Sequence, residues 1–353
     1  MKKQFRIFIF LLLIPISGYS VENDFNFSKQ KKINKAYYVN SNAILAIDNS
    51  YGNISVTTWN EDQIALDISI KVSGDNENWV NQRINDIDID IIALKGMITA
   101  KTVFGNSSTK NRGRNNSFEI NYSLKIPKNG SVKLTNKYGN ISTTDIFADA
   151  DIKCKYGKIN LGNLLGSTSI QMDYCSNSSI IALKSGVINA KYSNLKINEV
   201  GKLDLISDYT DIEIGDSEVI KYNSKYGKIK LKNVQTLDAS GNYLTIRIGE
   251  VFGNLKLDTK YSSLIIDSIN AKANNISITS GYTGISIGYN SNFAFDFNVL
   301  LKYANFNYSD DLQVLSKEEV SNSKKYSGFY KNKGINSLNI ISDYGNVSLK
   351  NNN

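Results

Sequence analysis

The sequence predicts an all-β chain built as a parallel β-solenoid (β-helix) of about 17–18 residues per coil, with an N-terminal antiparallel β meander insertion and an aromatic C-terminal cap. Three observations predict it. First, Tyr138, Tyr156, Tyr174, Tyr192, Tyr209, Tyr226, Tyr243 and Tyr261 recur every 17 or 18 residues, and Tyr282 and Tyr303 follow at intervals of 21. A fixed repeat of this length is the mark of stacked supersecondary units. Second, aliphatic residues keep fixed offsets from each tyrosine, at +3 and +5 (Ile159/Leu161, Leu195/Ile197, Ile229/Leu231, Leu264/Ile266) and at +8 (Ile146, Leu164, Val200, Val234, Val251, Ile269). Third, one coil cannot stand alone. About five buried aliphatics stabilise it by roughly 8–15 kcal/mol, whereas ordering it costs on the order of 25 kcal/mol. Coils must therefore stack and share a core.

Residues 1–20 read as a cleavable export signal. Lys2, Lys3 and Arg6 precede the apolar run Phe8 to Ile14, and Gly18 and Ser20 supply small residues at a cleavage site. The run is too short to span a bilayer, and nothing later is apolar enough to be a transmembrane helix. Removing its three positive charges lowers the net charge from +8 to +5. Residues 21–42 form a polar N-terminal segment.

Residues 43–135 carry a first rung and an insertion. Leu45, Ile47, Tyr51, Gly52, Ile54, Val56 and Trp59 repeat the tyrosine-centred pattern. Strict alternation in Ile64–Val72, Ile87–Ile91 and Phe118–Ile126, with Met97 to Phe104 as a fourth run, predicts strands too long for the solenoid coil and suggests an antiparallel meander. Trp79, Val80, Arg83, Ile84 and Ile87 have helical spacing. Asn106 to Asn116, with Lys110, Arg112 and Arg114, reads as a basic hairpin tip.

Residues 136–303 are the repeats themselves. Leu203, Leu205, Ser207 and Tyr209, like Leu255, Leu257, Thr259 and Tyr261, alternate as a strand with one buried face. Continuing that parity puts the tyrosines inward, as an aromatic ladder with hydroxyls at the rim. The next apolar residue is at +3, so the chain must bend after each tyrosine, where Gly, Ser or Thr usually stands. The preceding residues (Lys137, Lys155, Asp173, Lys191, Asp208, Lys225, Asn242, Lys260) face outward, and their opposite signs allow pairing between neighbouring coils. Cys154 and Cys175 hold different positions on adjacent coils. Buried free thiols are the expectation, with a disulfide the alternative. Ten tyrosines, Tyr138 to Tyr303, make a rod of roughly 43 Å.

Residues 304–353 form the C-terminal cap and last rung. Bulky Phe293, Phe295, Phe297, Phe306 and Tyr308 would close the core, and 311–335 reads as a polar hairpin or short helix. Leu338, Ile340, Tyr344, Gly345, Val347 and Leu349 then repeat the pattern as a rung covering the bare edge.

The repeated Tyr-Gly-x-Ile-x-Ile unit resembles the putative adhesins, a family of bacterial exported β-strand-repeat proteins, and the head domain proposed for some autotransporter adhesins. Its carriers are Tyr51-Gly-Asn-Ile-Ser-Val, Tyr138-Gly-Asn-Ile-Ser-Thr and Tyr344-Gly-Asn-Val-Ser-Leu, and the likeness covers residues 43–350. It implies an adhesin-like role and supplies no catalytic residues.

Composition narrows function further. The chain has no His and two Cys, which removes imidazole-based triads and makes zinc or copper centres improbable. No catalytic, cofactor-binding or metal site is expected. The nearest approach to an acid pair, Asp208 with Asp211 and Glu213, falls on outward positions where nothing apolar would separate their pKa values. The reading is a non-enzymatic exported protein, adhesin-like or an envelope binding or structural protein. It would be periplasmic, outer-surface associated or secreted, and would meet a protein or glycan ligand and no nucleic acid. The alternative is a polysaccharide-active β-helix enzyme, a lyase or hydrolase.

Overall fold

A computed structural model describes residues 25–105 and 115–352. The export signal at 1–20 and the loop residues Lys110, Arg112 and Arg114 lie outside them. Strands take 74 % and helix 3 % of the chain, which fixes the all-β class.

The strands join in one long, mostly parallel, open sheet. Its register runs one repeat per step. Ile152 pairs with Ile170, Ile170 with Ile188, Ile188 with Leu205, and Leu205 with Tyr222. Residues four before each tyrosine thus form a buried column, and the residues at −6, +3 and +5 form others. Their aliphatic side chains make one continuous core from Leu45 to Leu349. From Asp211 to Lys260 ladder pairing continues without a break past the corners at Tyr226 and Tyr243.

The N-terminal insertion differs from a simple meander. Gln63–Gly74 runs antiparallel to both Phe27–Tyr38 and Asn116–Pro127, and Ile87–Leu94 makes a hairpin with Met97–Phe104. Two of these strands then join the parallel array. Met97–Phe104 lies beside Ile44–Ser50, placing Ile98 against Leu45, and Asn116–Pro127 lies beside Ile54–Trp59, placing Leu124 against Val56. The insertion thereby supplies a rung of its own below the first tyrosine. The predicted helix spans Glu77–Asp86, capped by the Asn76 side chain accepting from the Trp79 amide at 3.0 Å, and buries Val80 and Ile84. The polar segment before residue 42 is itself a strand, Phe27–Tyr38. Its Lys29, Lys31, Lys32 and Lys35 suit an edge that must not recruit another chain.

At the other end the rung order departs from the chain order. Ser337–Asp343 inserts between Ile276–Gly281 and Phe295–Lys302, with parallel pairing on both sides. Val347–Asn352 likewise lies between Gly284–Asn290 and Phe306–Tyr308. The last rung in sequence is an interior rung, not the cover of a bare edge. The edge is covered by the antiparallel hairpin Gln313–Val320/Ser323–Tyr330, whose second strand pairs with Phe295–Lys302. Phe293, Phe295, Phe297 and Tyr289 are buried beneath it.

Candidate functional site: a tyrosine ladder

Every repeat tyrosine adopts a left-handed backbone. Twelve of them, from Tyr51 to Tyr344, have φ between 49° and 64°. For a bulky L-residue that conformation costs about 1–2 kcal/mol. Its geometric effect corrects the inward ladder expected from parity. The residue at −2 points in, those at −1 and 0 both point out, and the residue at +1 points in. Around Tyr209, Ser207 and Thr210 are buried and the ring is 51 % exposed. The parity break falls on the tyrosine itself, and the small residue after it lies inside the corner.

That interior position explains why Gly, Ser and Thr recur at +1. At Gly157 an added Cβ would meet the Gly139 carbonyl oxygen at 2.0 Å, so successive glycine corners pack backbone on backbone. Where a hydroxyl stands there, it bridges the tyrosine. Ser193 Oγ donates to the Lys191 carbonyl at 2.7 Å, and Thr210 Oγ1 to that of Asp208 at 2.8 Å. The same oxygens accept from the previous rung, as Ser193 Oγ does from the Cys175 amide at 3.0 Å. Asx residues at +2 act similarly: Asn53 Oδ1 accepts from the Asn140 amide and Asp211 Oδ1 from the Lys228 amide, both at 3.0 Å.

The rings stack in one column, with Tyr156, Tyr192, Tyr226 and Tyr261 all members. Eleven successive pairs have centroids 4.6–5.1 Å apart and planes within 21° of parallel. The path is roughly 54 Å, one strand spacing per step, and exceeds the expected 43 Å because Tyr51 and Tyr344 join the column. At its lower end Phe118 and Phe104 close on Tyr51 at 4.9 and 6.0 Å. The Arg83 guanidinium lies 4.4 Å from the Phe118 ring centre, held by Asp86 at 3.1 Å.

Between neighbours, each interior ring has both faces covered. Its exposure, 39–52 % among these tyrosines, is therefore edge and hydroxyl. None of the twelve hydroxyls takes a hydrogen-bond partner among the described residues. The outcome is a comb of free phenols about 5 Å apart. Desolvation of the packed ring, followed by the neighbouring Tyr226 and Tyr192 phenols, holds the Tyr209 hydroxyl above its ordinary pKa.

The flanking charges are arranged differently from expectation. The −1 column makes no ion pair among the described residues, although Lys155 Nζ lies 5.1 Å from the Tyr156 ring centre. The ion pairs sit beyond the corner. Glu213 is 3.5 Å from Lys196 and 3.7 Å from Lys230, Asp211 is 4.0 Å from Lys228, and Arg247 is 2.9 Å from Asp267. Lys196, Glu213, Lys230, Arg247 and Asp267 line a shallow groove of about 420 Å³ together with Gly215 and Gly249. Asp211 and Glu213 are thus each matched to lysine rather than aimed together at a common space.

No family model matches the chain, and no curated protein does. Solved structures do. A putative cell adhesion protein from Clostridium sporogenes is 11 % identical, with 92 % of this chain and 100 % of that one covered, at a TM-score of 0.19. A putative adhesin from Parabacteroides distasonis is 10 % identical, covering 90 % and 97 %, at 0.30. One from Bacteroides fragilis is 13 % identical, covering 91 % and 97 %, at 0.24. These neighbours bear the family name that the Tyr-Gly repeat suggests. TM-scores of 0.30 and below add nothing to the argument for this chain, which rests on its own residues.

Proposed function

We propose that this chain is an exported, non-enzymatic β-solenoid whose tyrosine ladder is its binding face, in the manner of an adhesin or other envelope binding protein. The solenoid reading is supported by register. Each rung repeats the inward and outward positions of the one below, and one core runs through the stack. The domain plan follows: a signal at 1–20, a first rung with its insertion at 43–135, repeats at 136–303, and a cap with the late-sequence rung at 304–353.

One observation carries the binding reading. Twelve half-exposed tyrosines share one column, each in a left-handed conformation, with hydroxyls that take no hydrogen-bond partner among the described residues. Glycine would adopt that backbone without cost. Stacking contributes about 0.5–1.5 kcal/mol per pair, which offsets the conformational cost and explains an aromatic ring, but phenylalanine would stack as well. The hydroxyls are what remains to be explained. Because ring faces are covered, a ligand meets edges and hydroxyls, so an extended hydroxyl-rich polymer, a glycan, suits the comb better than a sugar laid flat on one ring. The enzyme alternative fares worse, since two carboxylates of the Gly215–Gly249 groove, Glu213 and Asp267, are paired with Lys196, Lys230 and Arg247, and a third, Asp216, accepts from Asn233 Nδ2.

The test is a glycan array and an envelope-fraction pull-down with the mature chain and a Tyr192→Phe/Tyr209→Phe/Tyr226→Phe variant. The variant keeps the stack and removes three hydroxyls. Binding that weakens several-fold in the variant supports the reading. Binding unchanged in the variant, or absent on glycans and envelope alike, defeats it, and capture of protein alone would reassign the ligand class.

A further inference from the structure

Cys154 and Cys175 are buried free thiols in this structure, as the sequence leads one to expect, at 3 % and 0 % exposure on adjacent rungs. Their positions relate through the corner. Cys154 is at −2 of Tyr156 and Cys175 at +1 of Tyr174, the two inward places on either side of a left-handed tyrosine. Cys175 occupies the hydroxyl place, its Sγ 3.4 Å from the Asp173 carbonyl oxygen, as Ser193 and Thr210 bridge theirs. The same sulfur is 3.4 Å from the carbonyl oxygen of Cys154 itself, and the Cys154 thiol donates to the Gly139 carbonyl of the rung before at 3.7 Å.

We infer that Cys154 and Cys175 form a disulfide that joins two successive rungs beneath the tyrosine ladder. Each thiol loses its hydrogen, an S–S bond forms, and the two electrons and two protons pass to a disulfide oxidant, which is reduced to its thiols. One thiolate attacks the oxidant to give a mixed disulfide, and the second cysteine displaces the oxidant's thiol from it. Both thiols are sealed once neighbouring rungs pack, so exchange takes place as the rungs dock. Serine or threonine serves the +1 place in other rungs, yet here sulfur stands at +1 and also at the facing −2 place. The inference is independent of what the ladder binds.

The full chain is refolded from denaturant in a mixture of oxidised and reduced glutathione, then denatured and alkylated with iodoacetamide before and after reduction. The expected result is no alkylated cysteine before reduction and two after it, with a cross-linked peptide pair containing Cys154 and Cys175. Reducing the folded protein should lower its thermal midpoint by a few degrees, and should leave a Cys154→Ser/Cys175→Ser variant unchanged. Two freely alkylated cysteines under oxidising refolding, or a disulfide formed only between chains, would overturn the inference.

Discussion

The Tyr282 ring stacks on the Tyr344 ring with centroids 4.7 Å apart and planes 2° from parallel. Tyr303, the next repeat tyrosine in sequence, stacks on the far side of Tyr344 at 4.7 Å. A late segment of chain therefore fills a slot between two earlier ones, and its backbone is hydrogen-bonded on both edges. Amides of Ser337–Asp343 should exchange hydrogen more slowly than those of Gln313–Val320, which has one partner strand. Native-state exchange read by mass spectrometry checks this. Equal or faster exchange in Ser337–Asp343 would mean that the C-terminal rung is peripheral after all.

Inward and outward positions on a rung should differ sharply in tolerance. Ile229 is 1 % exposed, and Ile229→Asp would bury an unpaired carboxylate at a cost of several kcal/mol. Lys230 points outward, and Lys230→Asp exchanges its 3.7 Å contact with Glu213 for a solvated like-charge neighbour, a change of about 1 kcal/mol. Urea midpoints separate the two variants. Comparable midpoints would contradict the assigned faces.

The columns were legible because a constant repeat forces like residues into register, whatever the corner does. The orientation of the tyrosines was not. Between the buried places at −2 and +3 lie five residue steps, an odd number, so alternation must break once. Sequence alone does not say whether it breaks at the tyrosine or just after it. The recurrence of Gly, Ser, Thr and Cys at +1 was the available signal, since a crowded corner interior selects small side chains. Rung order at the C-terminus was illegible for a different reason. Leu338 and Ile340 carry the same pattern as Phe297 and Val299, so pattern cannot rank two places in one stack. That Cys154 and Cys175 both occupy inward places follows only once the left-handed tyrosine is known.

Ladder tyrosines should invert the usual order of small substitutions. Tyr192→Ala removes two stacking contacts and leaves a β-carbon in left-handed backbone. Tyr192→Gly removes the same contacts and relieves the conformation, so it should be the more stable by roughly 1 kcal/mol. Denaturation curves for both variants decide it, and an alanine variant more stable than the glycine one would deny that the corner needs φ above zero.

Tyr222 replaces an aliphatic in the −4 column and lies beside Ala239, one repeat further on. Its ring is buried and its hydroxyl has no partner among the described residues. An unmatched buried hydroxyl costs about 1–3 kcal/mol. Tyr222→Phe should therefore hold or raise the denaturation midpoint. A clear fall would reveal a partner for that oxygen.

Alkaline pH should probe the base of the stack through Tyr122. Its hydroxyl lies 2.8 Å from Thr102 Oγ1, which donates to Asn49 Oδ1 at 2.8 Å, inside the core of the inserted rung. Burial pushes its pKa up from 10.0 to about 12, against the opposing effect of the Thr102 hydrogen bond. The folded state thus keeps its proton where the unfolded chain begins to lose it. The sign follows: the contribution of Tyr122 is complete below pH 10 and is lost as pH rises from 10 towards about 12. Tyr222 and Tyr289, also raised by burial, act in the same direction. Tyr122→Phe retains the ring and the Thr102–Asn49 bond and has no proton to lose. It should narrow the fall in stability between pH 9.5 and 11.5 relative to the parent, by an amount that a two-unit shift limits to about 2.7 kcal/mol. Stability measured by urea unfolding across that interval tests it, and parallel curves for parent and variant would show that Tyr122 does not titrate with unfolding.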